Sequence, residues 1–203
     1  MAYRRTPAIQ ARLDAQRATL LEAAADLLGE YGYAGCSVGA VAGRAGVAAG
    51  TVYRYFESKT ALVAEVFRAV VGREVGAVRT ALAAEPDVSA KIRAVVETFA
   101  GRAMKSPRLA YALLAEPVDP VVDELRLQFR TEFRDIIATV IADGVADATL
   151  PPQNATVVAS ALVGAIGEAL VGPLAAGTGD PDTVSTLVQF AHRALGVVDV
   201  AYA

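Results

Sequence analysis

The chain holds one cysteine, Cys36, and one histidine, His192. Zinc sites draw mostly on these two residue types, so no usual zinc site can be built, and a lone thiol excludes an internal disulfide. No nucleophile is clustered with a base and no phosphate-cradling glycine loop occurs, which argues against an enzyme and against a resident metal or cofactor. His192 reads as a surface or interface residue, and Cys36 as a small packed residue rather than a redox sensor. The chemistry that remains is recognition. Thr51, Arg54 and Tyr55 stand at i, i+3 and i+4, so on a helix they share one polar, partly cationic face fit to meet DNA. Just before them, Ala49 and Gly50 carry almost no side chain, and free N–H groups there could approach a groove wall or a phosphate.

These residues need a scaffold, and residues 37–56 supply one. Val38, Val41, Ala42 and Ala45 recur at helical spacing, and Gly46 stands where a left-handed residue commonly closes a helix. A second short helix is expected from Ala49 to Phe56, with Val52 and Phe56 forming the apolar row that packs on the first. The pattern is helix-turn-helix. Taken alone it leaves open an ordinary helical hairpin in which Tyr53, Tyr55 and Phe56 are core aromatics.

The wider run from Gly46 to Leu62, GVAAGTVYRYFESKTAL, resembles the signature of the TetR family of bacterial regulators, and Ala23–Tyr33 resembles that family's first helix and following glycine turn. The specific likeness spans about residues 17 to 62. It implies an all-α fold in which a three-helix helix-turn-helix domain precedes a six-helix ligand-binding and dimerisation domain, nine helices in total. It also implies DNA contacts: Thr51, Tyr55 and the Ala49–Gly50 backbone toward base edges, and Ser37, Arg44, Tyr53, Arg54 and Lys59 toward phosphates. Two positions depart from the family pattern. Ala48 stands where Ser or Thr is usual, so the second short helix loses a hydroxyl cap worth about 0.5–2 kcal/mol. Thr60 stands where an acid is usual, and with no acid at 60 or 61 Ser58 lacks a capping-box partner.

Charge is distributed to suit this reading. The net charge is −3, yet residues 1–60 hold seven cations (Arg4, Arg5, Arg12, Arg17, Arg44, Arg54, Lys59) against five anions, leaving twelve cations against seventeen anions beyond. The basic end is the end with the motif. Residues 1–16, with Arg4, Arg5, Arg12 and an early Pro7, are expected to form a flexible basic arm, residues 17–62 the DNA-binding domain, and residues 63–203 the second domain. The start of the chain lacks the order of a signal peptide, so a cytoplasmic protein is expected.

The rest of the chain reads as helices separated by proline breaks. The first firm one is Arg17–Tyr31. A stripe from Ser58 to about Ala84 would make a helix about 39 Å long at roughly 1.5 Å per residue, long enough to link two domains. Further helices are expected over Val88–Met104, Arg108–Ala115, Val121–Ala146, Asn154–Ala176 and Thr183–Leu195. Residues 155–176 are almost wholly apolar but carry Glu168 in the middle and no Lys or Arg anchors, so a helix buried on most sides is expected rather than a membrane span.

The last two helices are expected to pair with the same two of a second copy, giving a homodimer through Ala161, Gly164, Ala165, Glu168, Leu187, Val188, Ala191 and Leu195. A two-fold protein reads a palindromic operator on double-stranded DNA, with recognition helices about one helical turn, 34–36 Å, apart or somewhat more. A cavity lined by Phe99, Met104, Tyr111, Leu114, Phe129 and Phe133, with Arg102, Arg130 or Glu168 fixing orientation, would take a mostly apolar small-molecule effector. The function expected is a sequence-specific transcriptional regulator, a repressor released from its operator by that effector. A constitutive DNA-binding regulator and a small all-helical enzyme or carrier are the alternatives.

Overall fold

The computed structural model describes residues 6–177 and 180–197. Among the described residues there are nine helices and no strand: α1 (Pro7–Gly35), α2 (Val38–Arg44), α3 (Ala49–Tyr53), α4 (Lys59–Ala83), α5 (Val88–Lys105), α6 (Pro107–Leu114), α7 (Pro120–Ala146), α8 (Ala155–Ala176) and α9 (Thr183–Leu195). The all-α expectation holds. Boundaries follow local chemistry. Ser37, Ser58, Asp87 and Asn154 each accept a backbone N–H of their own helix's first turn, and Gly177 and Gly196 close α8 and α9 in the left-handed region.

The start of the chain departs from expectation. Residues 7–16 are not a loose arm but the first turns of α1. Pro7 begins the helix, where its missing N–H is no loss, Thr6 accepts from the Ile9 N–H, and Gln10 bonds Asp14 one turn on. Arg12 therefore rides on a helix, while Arg4 and Arg5 lie outside the described residues. At the other end α1 kinks at Gly32, whose φ is +69°. That bend turns Tyr33 toward the carboxylates of Glu116 and Asp119.

Two apolar cores stand side by side. The first gathers Leu20, Leu27 and Leu28 of α1, Val41 of α2, Val52 of α3, Phe56, and α4 from Leu62 to Val70, closed by Val122 and Leu125 of α7. The second gathers Val71, Val75 and Val78 of the same α4 with the inner faces of α5, α7, α8 and α9. One helix thus contributes its first three turns to one core and the rest to the other. Cys36 is buried in the first core, its thiol directed at the Ala24 carbonyl, and burial pushes it up to about 11. A thiol so protonated is a packing residue.

Helix α8 is the one helix among the described residues long and apolar enough to cross a membrane, at a hydropathy of 1.8. Ala159, Leu162, Ile166, Leu170 and Leu174 bind it into the second core. Burial on most sides was the sequence expectation; the fold buries one side only, and the opposite one stays open along Val157, Ala161, Gly164, Glu168 and Gly172.

Gly32 provides a test of the bend. A side chain there would be strained by the positive φ, and its Cβ would sit 2.5 Å from Oε1 of Glu116. Gly32→Ala is expected to lower unfolding free energy by about 1–3 kcal/mol in urea titration. Gly76→Ala, in the exposed middle of α4 where nothing lies within 4 Å, should raise it by about 0.5–1 kcal/mol.

Candidate nucleic-acid interface and cavity

The helix-turn-helix is assembled from small pieces. Helix α2 ends as Ala45 and Gly46 turn back on it; Gly46 has φ +67°, and the Val47 N–H reaches the Ala42 carbonyl at 2.9 Å. Helix α3 follows with Ala48 at its cap position and no side-chain hydrogen bond there. It is shorter than expected, five residues, because the chain tightens at Arg54 and Tyr55 into bonds to the Thr51 and Val52 carbonyls. Val52 is fully buried beneath it, with Phe56 following.

The residues expected at DNA do not all stand free. Ala49, Gly50 and Arg54 are exposed, Thr51 is half-buried, and Tyr53 is 57% exposed. These five make an open surface on α3 and its end. Tyr55 differs from expectation: it packs against the first core and its hydroxyl donates to Oε1 of Gln16 at 2.9 Å. It steadies α3 against α1 instead of facing outward. Lys59 is likewise held inside, its Nζ 2.7 Å from the Tyr33 carbonyl and 4.0 Å from the centre of that ring. Arg44 makes a two-pronged pair with Glu30, both bonds 2.7 Å, which keeps Glu30 below the usual carboxylate range. Ser37 caps α2 through the Ala40 N–H.

A cavity of about 420 Å³ opens in the distal half between α4, α5, α6, α7 and α8. Its body is apolar, formed by Phe67, Val70, Val96, Phe99, Leu113, Phe129, Phe133 and Ile166 among others. Phe99 and Phe133 meet edge to face at 5.2 Å. Arg73, Arg102, Lys105, Arg126 and Arg130 also line it, against a single acid, Glu74. Glu74 forks onto Arg102, with Nη2 to Oε1 at 2.8 Å. The cavity is thus an apolar chamber with a surplus of positive charge.

Six of the nine expected effector-site residues belong to it: Phe99, Arg102, Leu114, Phe129, Arg130 and Phe133. Three do not. Met104 and Tyr111 pack against the second core outside the chamber, because each lies a fraction of a helical turn off the lining stripe. Glu168 lies on the open side of α8, away from the chamber. Arg73 and Lys105 were missed in sequence, although Lys105 stands three residues after Arg102, a spacing that shares a face.

Half-buried Arg126 is the most constrained cation of the wall. It donates to the carbonyls of Leu113 (2.8 Å), Ala112 (3.3 Å) and Glu116 (2.8 Å) and to Asp123 (2.7 Å). Burial pulls it below the ordinary arginine range, with Asp123 opposing. Four residues of α9 expected at a dimer interface, Leu187, Val188, Ala191 and Leu195, are instead buried in the chain's own core. The outward face of α9 is Thr186, Gln189, Phe190, Arg193 and Ala194. The stripe was read correctly as apolar and assigned to the wrong neighbour.

Comparison with known proteins agrees with this architecture. Residues 20–66 match the family model of bacterial regulatory proteins, tetR family. The chain is 36% identical over 86 residues to the HTH-type transcriptional activator FasR of Mycolicibacterium smegmatis, covering 42% of this chain and 39% of FasR. It is 30% identical over 114 residues to the HTH-type transcriptional repressor KstR2 of Rhodococcus jostii, covering 56% of this chain and 55% of KstR2. The match therefore spans about half the length of these curated relatives or less. Whole-fold likeness is broader: a TetR transcription regulator from Haloarcula marismortui superposes with TM-score 0.79 at 20% identity, over 91% of this chain and 98% of that one. FadR of Bacillus subtilis, solved in complex with stearoyl-CoA, superposes with TM-score 0.77 at 17% identity, over 89% and 98%. The chain thus carries a tetR-family helix-turn-helix over residues 20–66 and shares the fold of a TetR transcription regulator over about nine-tenths of its length.

Proposed function

We propose that this protein is a homodimeric DNA-binding repressor released from a palindromic operator by an amphipathic effector, an apolar chain bearing an anionic head. The observation that carries the reading is the cavity: an apolar chamber of about 420 Å³ with five cations and one acid in its wall. Apolar surface supplies affinity, while the cations select a carboxylate or phosphate end. The bound stearoyl-CoA of the similarly folded B. subtilis FadR is a molecule of that description. Arg130, exposed beside Phe129, is suited to the head group, and Phe99 and Phe133 to the chain.

On the DNA side, Thr51 and the Ala49–Gly50 backbone address base edges. Tyr53 and Arg54, the exposed side chains at the end of α3, address phosphates, with Ser37 and Arg44 at the start and end of α2 beside them. Lys59 and Tyr55 act from beneath the surface, holding α3 and the start of α4 in place. Dimerisation uses the open side of α8, where Ala161, Gly164, Ala165 and Glu168 are joined by Val157, 62% exposed, and by Phe190 of α9, 42% exposed. Small residues there let two helices approach closely.

The effector reading is tested by calorimetric titration with stearoyl-CoA, oleate and oleyl alcohol. Both anions should bind, and Arg130→Ala should weaken them by about tenfold while leaving the neutral alcohol unchanged. Equal binding of alcohol and anion in the unaltered protein would remove the role given to the cations. On duplexes carrying the DNA upstream of its own gene, Arg54→Ala should weaken all sequences alike and make the salt dependence shallower by about 0.9 in log–log slope. Thr51→Ala should instead change the ranking of operator variants. Val157→Arg should turn the dimer into monomers in sedimentation velocity, with operator binding lost in parallel; a protein already monomeric before substitution contradicts the dimer.

A further inference from the structure

Between the helix-turn-helix and the cavity lies a contact set that neither DNA recognition nor ligand binding uses. The loop from Ala115 to Asp119 joins α6 to α7 and presents two carboxylates to the amino-terminal unit. Glu116 accepts the Tyr33 backbone N–H at 2.9 Å, just past the α1 kink. Asp119 accepts the Tyr33 hydroxyl, and also the Thr60 hydroxyl at 2.6 Å, in the first turn of α4. Asp119 also occupies the cap position of α7, yet its side chain makes no capping bond there. Ser37, Ser58, Asp87 and Asn154 all cap their own helices. Asp119, like Ser106 and Asp182, leaves its own helix without a side-chain cap, and it is turned instead toward the other core.

The same loop is fixed to the cavity from its other side. Arg126 lines the chamber and donates to the carbonyls of Ala112, Leu113 and Glu116, so one guanidinium binds the end of α6 to the residue that holds Tyr33. Leu109, Leu113 and Leu114 of that short helix also face the chamber, and Leu109 lies 3.7 Å from where a Cβ on Gly29 of α1 would be. A displacement of α6 by a bound chain therefore has a hydrogen-bonded route to the turn after α1 and to the start of α4.

We infer that Asp119, held in place through Arg126 and assisted by Glu116, is a positioning residue that sets the orientation of the helix-turn-helix and passes cavity occupancy to it through Tyr33 and Thr60. The inference rests on the proposed effector cavity for the source of the signal. The contact set itself is independent of it. Asp119 carries one acceptor group shared by two hydroxyls from two different helices, α1's extension and α4, so losing it frees both at once. A second carboxylate at position 60 would meet the first at hydrogen-bond distance and repel it.

The test uses full-length Thr60→Glu, Tyr33→Phe, Asp119→Ser and the double variant Thr60→Glu/Asp119→Ser, which exchanges acid and hydroxyl across the contact. For each, the affinity for the upstream duplex is measured with and without stearoyl-CoA, beside calorimetric binding of stearoyl-CoA alone. Thr60→Glu, Tyr33→Phe and Asp119→Ser are each expected to cut the fold-weakening of DNA binding by stearoyl-CoA at least about fivefold while changing stearoyl-CoA affinity less than about twofold, and the double variant is expected to recover most of it. A general loss of stability would not be repaired by the exchange. Unchanged fold-weakening in the three single variants, or no recovery in the double, overturns the inference. If the unaltered protein is indifferent to stearoyl-CoA, the effector reading fails separately, and hydrogen exchange decides. Arg126→Gln, made in the distal half, is then expected to speed exchange of the Tyr33 amide at least about tenfold, and an unchanged rate overturns the inference.

Discussion

The structure depends on one helix serving two cores. Along α4, Leu62, Val63, Val66, Phe67 and Val70 belong to the core of the helix-turn-helix, and Val71, Val75 and Val78 to the core of the distal half. At about 1.5 Å per residue such a helix is about 37 Å long, and a packed helix transmits displacement because its side chains interlock at near-crystalline density. Neither core can shift its share of the stripe without the other responding. Val122 and Leu125 of α7 enter the first core as well, which makes the division between halves a matter of which side chains meet rather than of a linker.

Against that rigid member, the DNA-facing piece is slight. Helix α3 has five residues and no side-chain cap. Isolated helices shorter than about 12 residues are marginal in water, so α3 exists because Val52 and Phe56 are buried under it and because Tyr55 is tied to Gln16. The extension of α1 back to Pro7 provides that tie. Arg17 adds to it, its guanidinium 5.2 Å from the Phe56 ring centre and its Nη2 3.0 Å from Glu65. Residues that a linear reading assigns to an arm are in this way part of the support of the recognition surface.

Much of this was legible in sequence, and what was not has physical causes. Helix existence followed from periodicity and proline breaks, since Val38, Val41 and Ala42, or Leu125, Phe129 and Ile136, are spaced to share a face wherever they end up. The partner of a face is not encoded locally. The stripe Leu187, Val188, Ala191 and Leu195 is apolar whether it meets a second copy or its own core, and here it meets its own core. Exposure of a charged side chain is equally non-local: Glu168 sits in an apolar run, yet the helix turns it to solvent. Pro7 misled because a proline ends a helix at its interior and begins one at its first position. The pairing of Arg44 with Glu30 and of Lys59 with Tyr33 spans 14 and 26 residues, beyond any local rule.

The two departures from the family pattern show how unequal such substitutions are. At position 48 the missing hydroxyl is not replaced: Ala48 caps α3 with backbone alone. At position 60 the missing acid is replaced from elsewhere, because the Thr60 hydroxyl donates to Asp119, 59 residues on in the chain. Ser58 still caps α4 through the Ala61 N–H at 3.0 Å, so the reciprocal half of the capping box is dispensable here. An acid at 60 would have met the positive end of the α4 dipole locally. A hydroxyl there serves a contact between the two cores instead, and the bonds from Thr60 and then Tyr33 keep the Asp119 carboxyl below its ordinary range. The substitution that looks like a lost local interaction is therefore the one that admits a long-range interaction, because a donor at that position can meet a carboxylate arriving from the distal half whereas an acid would repel it.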